Sequence, residues 1–147
     1  MNKQLITQDK VCAMIRKCYE SSPILINNYH VQAGNGLNKC IYRTVLDFKK
    51  WNVKVHTLEH DGKFVGYFGE ELVGSDKWLT GFFIMPEFRK SLGKDFWSVV
   101  GEHFNGSFKA GLYSKNTPAI KFLMKNGCKM IKIVNDDILV FEYKENI

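Results

Sequence analysis

No stretch of this chain of 147 residues is long and apolar enough to span a bilayer. The opening segment MNKQLITQDK lacks the apolar core of a secretory signal, so a cytoplasm is the expected compartment. The four cysteines, Cys12, Cys18, Cys40 and Cys128, show no CxxC spacing and no histidine at zinc-site intervals. That pattern predicts buried free thiols and no metal. There is no zinc finger, helix-turn-helix or basic helix, and the lysines are scattered, which argues against direct reading of DNA bases. Repeats, low-complexity segments and linkers are also missing. The expectation is one domain over residues 1–147, long enough to bury a core without staples.

Acidic residues are fewer than basic ones, 15 against 21, for a net charge of +6. This balance favours acidic ligands or partners and leaves coenzymes, nucleic acid and acidic proteins all open. Aromatics, by contrast, are abundant: 14% of the chain, with 11 Phe, 6 Tyr and 3 Trp. Such a composition predicts a core built on a sheet.

Local patterns predict the elements. KQLIT reads as a short strand, after which Thr7 can cap a helix carrying Val11, Met14, Ile15 and Cys18 on one face. SSPILINNYHVQAGNG reads as irregular, and a second helix follows with Leu37, Ile41, Val45 and Phe48 at helical spacing. VKVHTLEH and FVGYFGEELVG read as strands about Asp61-Gly62, a strong hairpin signal. KWLTGFFIM is the next strand, and KDFWSVVGEHF a helix with Phe96, Trp97, Val100 and Phe104 in line. SFKAGLYS is a strand, and TPAIKFLMKNG a short helix with Thr117 as cap, Pro118 in its first turn and Gly127 as stop. CKMIKIV and DILVFEY form a last hairpin around Asn135-Asp136. The order β-α-α-β-β-β-α-β-α-β-β defines an α+β chain.

The segment EFRKSLGKDFW, residues 87–97, follows an apolar strand and leads into a helix. A helix entrance leaves backbone N–H groups without intrahelical partners, and with the positive end of the helix dipole these suit an anion. Arg89, Lys90 and Lys94 add charge, and Gly93 allows close backbone approach. A pyrophosphate would fit there, and an ordinary turn with solvated lysines is the competing reading.

The element order, taken with two motifs, resembles the GNAT superfamily of acyl-CoA-dependent N-acyltransferases over nearly the whole chain. LTGFFIMPEFRKSLGKDFW is similar to that family's strand, Pro-x-aromatic-Arg step and pyrophosphate loop. NTPAIKFLMKNGC, residues 116–128, is similar to its N-x-x-A-I-x-F-x-x-x-x-G segment. The loop departs from the family in having one glycine and one residue fewer.

The resemblance implies a mixed, mostly antiparallel sheet, splayed at its centre between LTGFFIM and KAGLYS and flanked by helices. It implies acetyl-CoA or another acyl-CoA as cofactor and an amine-bearing acceptor. Coenzyme contacts then fall on Arg89, Lys90, Ser91, Leu92, Gly93, Lys94 and Asp95 for the diphosphate, on a backbone N–H at Phe83 or Ile84 for the carbonyl, and on Asn116. Asn116 is equally suited to capping the helix. Phe122 belongs to the same matched segment, where packing is its simplest role. Leu123 stands where many relatives carry a proton-donating Tyr.

No ionisable residue lies between Trp78 and Met85. Candidates for acid and base are therefore Tyr113, Glu59 and His56, then Glu70 and Glu71; His30 and His103 are less suited. Residues 21–52 correspond to the part of the family fold that shapes the acceptor side. The resemblance leaves a homodimer open. With "FL" after "NT", the second motif is also similar to GNAT-like proteins of tailed bacteriophages. That likeness implies a second class of function, a catalytically idle virion or binding module or a DNA-base-modifying enzyme, located in a virion or host cytoplasm.

Overall fold

A computed structural model describes residues 1–29 and 36–145. Seven strands form one sheet in the order β1-β2-β3-β4-β5-β7-β6. The strands are β1 (Asn2–Leu5), β2 (Lys54–His60), β3 (Lys63–Val73), β4 (Asp76–Ile84), β5 (Ser107–Tyr113), β6 (Lys129–Val134) and β7 (Ile138–Lys144). The helices are α1 (Gln8–Ser21), α2 (Pro23–Tyr29), α3 (Leu37–Lys50), α4 (Arg89–His103) and α5 (Thr117–Lys125). All neighbouring strands pair antiparallel except β4 and β5, which α4 connects in parallel. No helix among the described residues is long and apolar enough to cross a membrane.

Each face of the sheet carries its own core. Val11, Ile15 and Cys18 of α1 and Cys40, Ile41 and Phe48 of α3 pack with Val55 and Tyr67 on one face. Phe96, Trp97 and Val100 of α4 and Leu123 of α5 pack with Leu58, Phe68, Leu79, Phe108 and Phe141 on the other. The aromatic residues concentrate on this second face, where Trp97 meets Tyr143 edge-on with centroids 5.1 Å apart. Adjacent residues of β3 thus serve opposite cores, as a two-residue period requires: Tyr67 faces α1 and α3, Phe68 faces α4.

Both hairpin signals act as read. Asp61 and Gly62 have φ of 52° and 76°, and Asn135 and Asp136 have 54° and 62°, the left-handed values that match a tight turn to strand twist. Four local expectations need correction. The segment 21–36 is not wholly irregular, because Pro23 opens α2 and the Ser22 carbonyl accepts from Ile26 N–H at 3.1 Å. Thr7 occupies the N-cap of α1, but its hydroxyl donates to the Asp9 carboxylate instead of accepting from the backbone. The cap of α5 is Asn116, whose Oδ1 accepts from Ala119 N–H at 3.4 Å, and Thr117 is already helical. Cys12 is exposed, while Cys18, Cys40 and Cys128 are buried as expected.

One irregularity controls the middle of the sheet. Phe68 pairs with Phe82 and Glu70 with Leu79, so Gly69 alone opposes Thr80 and Gly81. This β-bulge places Gly81 at φ 81° and inserts one extra residue into β4. A Cβ on Gly81 would lie 2.9 Å from Phe48 Cζ and 3.3 Å from the Tyr67 hydroxyl, so both backbone conformation and space demand glycine. Gly81→Ala is expected to lower the unfolding free energy by roughly 1–3 kcal/mol, read as a lower urea midpoint; an unchanged midpoint would show the bulge to be unstrained.

Candidate functional site

Beyond the bulge, β4 leaves β5. Their ladder comprises only Trp78↔Lys109 and Leu79↔Ala110, although β4 continues to Ile84 and β5 to Tyr113. Strand alternation identifies which groups face the opening. Met85 N–H donates to the Val65 carbonyl at 2.8 Å, so Phe83, two residues earlier, also turns its backbone toward β3, opposite Tyr67. Phe82 and Ile84 consequently turn theirs toward the gap, where β5 pairs with neither. The expected carbonyl-polarising amide at Phe83 or Ile84 thus has only Ile84 on the open side. Phe82, which sequence reasoning missed, joins it because the one-residue bulge shifts the alternation.

The opening widens into a cavity of about 490 Å³. It is lined from both sides of the sheet, by Phe48 and Trp51 next to α3 and by Asn116 and Phe122 next to α5. Of the expected site residues, Phe83, Ile84, Arg89, Tyr113, Asn116 and Phe122 line it. Tyr113 is half-buried, and burial raises its hydroxyl above the ordinary value of 10, with the negative charges of Asp47 and Asp137 adding to the effect. It therefore holds its proton at neutral pH. Asn116 combines its cap with a place in the lining.

The segment expected to cradle an anion, residues 89–95, lies within a helix. A 3₁₀ turn over Pro86–Phe88 runs straight into α4, which starts at Arg89 and not at Lys94. The Phe88 and Arg89 amides donate to the Met85 and Pro86 carbonyls. From Leu92 onward, α-helical geometry directs each amide to the carbonyl four residues back, which takes Gly93, Lys94 and Asp95 out of the donor set. The amides of Lys90 and Ser91 remain at the entrance, with exposed Lys90 and Lys94 side chains nearby along the helix. Gly93 is buried, and a Cβ there would find only Phe122 at an ordinary 3.8 Å. Leu92 packs into the α4-side core.

Arg89 does not reach outward. Its Nε donates to the Ile84 carbonyl at 2.8 Å, its terminal nitrogen donates to Ser22 Oγ at 3.3 Å, and the guanidinium lies 5.1 Å from the Phe83 ring centre. It pins the end of β4 to the junction of α1 and α2. Leu123 is fully buried in the α4-side core and takes no part in the site.

The structure does not bring Glu59 or His56 to the cavity. Glu59 is exposed near the end of β2, opposite Asn2. His56 is buried against α4, stacked on Phe68, with Nε2 3.0 Å from Glu70 Oε1. His103 Nε2 lies 3.1 Å from the same oxygen without hydrogen-bond geometry. Glu70 thus faces α4, whereas its neighbour Glu71 faces the cavity and accepts from the Thr80 hydroxyl at 2.9 Å. Only the β3 alternation separates these two carboxylates, and sequence alone did not choose between them. His30 lies outside the described residues.

No protein-family model and no curated protein sequence matches the chain. Solved structures do match. An acetyltransferase from Thermus thermophilus gives a TM-score of 0.74 at 15% identity, covering 97% of this chain and 96% of that one. A GNAT-family acetyltransferase from Streptococcus agalactiae 2603 gives 0.63 at 14% identity, covering 99% and 96%. The Campylobacter jejuni N-acetyltransferase PseH, solved with acetyl coenzyme A, gives 0.59 at 13% identity, covering 99% and 100%. The chain therefore has the fold of the GNAT acetyltransferases, an α+β architecture with a mostly antiparallel sheet opened at its centre.

The histidine cluster makes a prediction about acid. Burial pushes His56 below its ordinary value of 6.5, against the opposing pull of Glu70. Its Nδ1 is buried with no partner among the described residues, so a second N–H there would be unsatisfied. Burial alone would raise Glu70, but His56 and His103 hold it below its ordinary 4.5. Both shifts are depressions, so the stability they contribute is complete above 6.5 and is lost as pH falls, first through His56 and then through Glu70. Urea unfolding at a series of pH values is expected to show this decline, and His56→Gln to flatten its upper part; an unaltered slope in the variant would locate the effect elsewhere.

Proposed function

We propose that this chain, acting as one domain over residues 1–147, is an acyl-CoA-dependent N-acyltransferase that moves an acetyl or other small acyl group to a primary amine within a ternary complex. The observation that carries this reading is the short β4–β5 ladder, which leaves the backbone of Phe82 and the N–H of Ile84 without a β5 partner, beside a largely apolar cavity. Such an edge accepts an extended amide-bearing chain as though it were another strand. The acetyl coenzyme A found with PseH supports the choice of ligand.

The coenzyme supplies a thioester carbonyl and a thiolate leaving group. The chain's own groups do the rest. Lys90 and Ser91 amides, with Lys90 and Lys94 side chains, would hold the diphosphate. The Phe82 and Ile84 N–H groups lie on the edge where a developing oxyanion needs donors. Glu71, beside the bulge, takes the proton that the attacking nitrogen loses as the C–N bond forms, and Tyr113 gives one to sulfur as the C–S bond breaks. Orientation of the two reactants in one cavity supplies much of the remaining rate.

A second reading, an idle binding module of this shape, is favoured by one specific observation: the arginine of the loop is committed to Ile84 and Ser22. Calorimetry separates the two. Acetyl-CoA is expected to bind and to raise the melting temperature, with Lys90→Glu and Lys94→Glu each weakening binding several-fold; no heat and no thermal shift with a panel of acyl-CoAs would leave the idle module. With an amine substrate identified, Tyr113→Phe is expected to lower kcat by on the order of 10²-fold with little change in KM for acetyl-CoA.

A further inference from the structure

The charge inside the cavity opposes the charge of the chain. The protein carries 21 Lys and Arg against 15 Asp and Glu. Yet among the described residues that line the cavity, the charged side chains are Asp47, Glu71 and Arg89. Arg89 is held at one end of the cavity by the Ile84 carbonyl and the Ser22 hydroxyl and lies against Phe83. The two carboxylates outnumber it, and they lie away from it on another wall.

Both lie on the α3 side of the sheet. Glu71 reaches the cavity from β3 next to the bulge, held by Thr80. Asp47 sits on α3 with its side chain mostly covered; its ionic partner among the described residues, Arg43 at 3.3 Å, is largely exposed and lies outside the lining. Trp51 and Trp78 complete this side with aromatic surface, and the Trp78 Nε1 is buried without a hydrogen-bond partner among the described residues. Carboxylates backed by aromatic faces in a partly enclosed, low-dielectric hollow select cations, because field lines are focused and the ring faces add attraction. An anionic ligand would be repelled by both carboxylates, and a neutral one would gain hydrogen bonds without the charge attraction.

We infer that the α3 side of the cavity is a subsite for a dicationic amine, so that the acceptor is a diamine or polyamine, not an amino acid, a nucleotide or a simple monoamine. The assignment rests on the N-acyltransferase reading for its word acceptor, but the charge selection stands on the lining alone. One nitrogen, deprotonated through Glu71, attacks next to the bulge. The other stays an ammonium and pairs with Asp47 under Trp51. Overall basicity, which favours acidic partners, thus describes the outer surface and not this hollow.

The test uses the intact chain and three probes of matched length: 1,4-diaminobutane, butylamine and 4-aminobutanoate. Direct calorimetry without any acyl-CoA is expected to show the diamine binding on the order of tenfold tighter than the monoamine, with added salt reducing the difference. With acetyl-CoA present, the same order is expected in kcat/KM. Asp47→Asn is expected to narrow the diamine-to-monoamine ratio, and wild-type binding gives the answer should that variant fold poorly. Equal affinity for diamine and monoamine, or preference for the carboxylate-bearing amine, overturns the subsite; if acetyl-CoA still binds, the transferase reading survives that result. Diamine binding without any acyl-CoA binding supports the subsite and removes the transferase reading instead. An unchanged ratio in Asp47→Asn overturns the part given to Asp47.

Discussion

The whole arrangement depends on where one parallel ladder stops. β4 and β5 share only two residue pairs before the extra residue at Gly81 redirects β4. An unpaired strand edge inside a protein is costly unless something satisfies it, and most sheets close such a gap. Here the gap lies between cores packed on the two faces of the sheet. The bulge also sets the alternation of everything after it, so the faces given to Phe82, Phe83, Ile84 and Met85 all follow from the conformation of a single glycine.

Much of this was legible in the sequence because it is written in local chemistry. Asp61-Gly62 and Asn135-Asp136 announce turns through residues that tolerate left-handed backbone, and the faces of α1, α3 and α4 are carried by apolar spacing. The motif pair placed the opened strands correctly. What escaped was register. A bulge changes which face each later residue of β4 serves without altering composition, so Phe82 could not be read, and the choice between Glu70 and Glu71 needed the face of β3 on which the cavity lies. The early start of α4 escaped because the polar run RKSLGK looks like a loop until Phe88 and Arg89 are seen tied to Met85 and Pro86.

The two neighbouring glutamates illustrate how little separates structural from chemical roles. Glu70 is enclosed by His56 and His103 and serves the stability of the α4 face. Glu71, one residue on, faces α3 and the cavity. A shift of one position in the β3 register would exchange them, turning Glu71 toward the imidazoles and Glu70 toward the cavity.

Arg89 acts as a rivet. Because one guanidinium fastens the last turn of a strand, the corner between two helices and an aromatic ring, those parts move together or not at all. Charge-scanning across the helix entrance would therefore single out this arginine for the wrong reason: its removal would slacken the mouth of the cavity, and the lost affinity would be a change of shape mistaken for a lost contact.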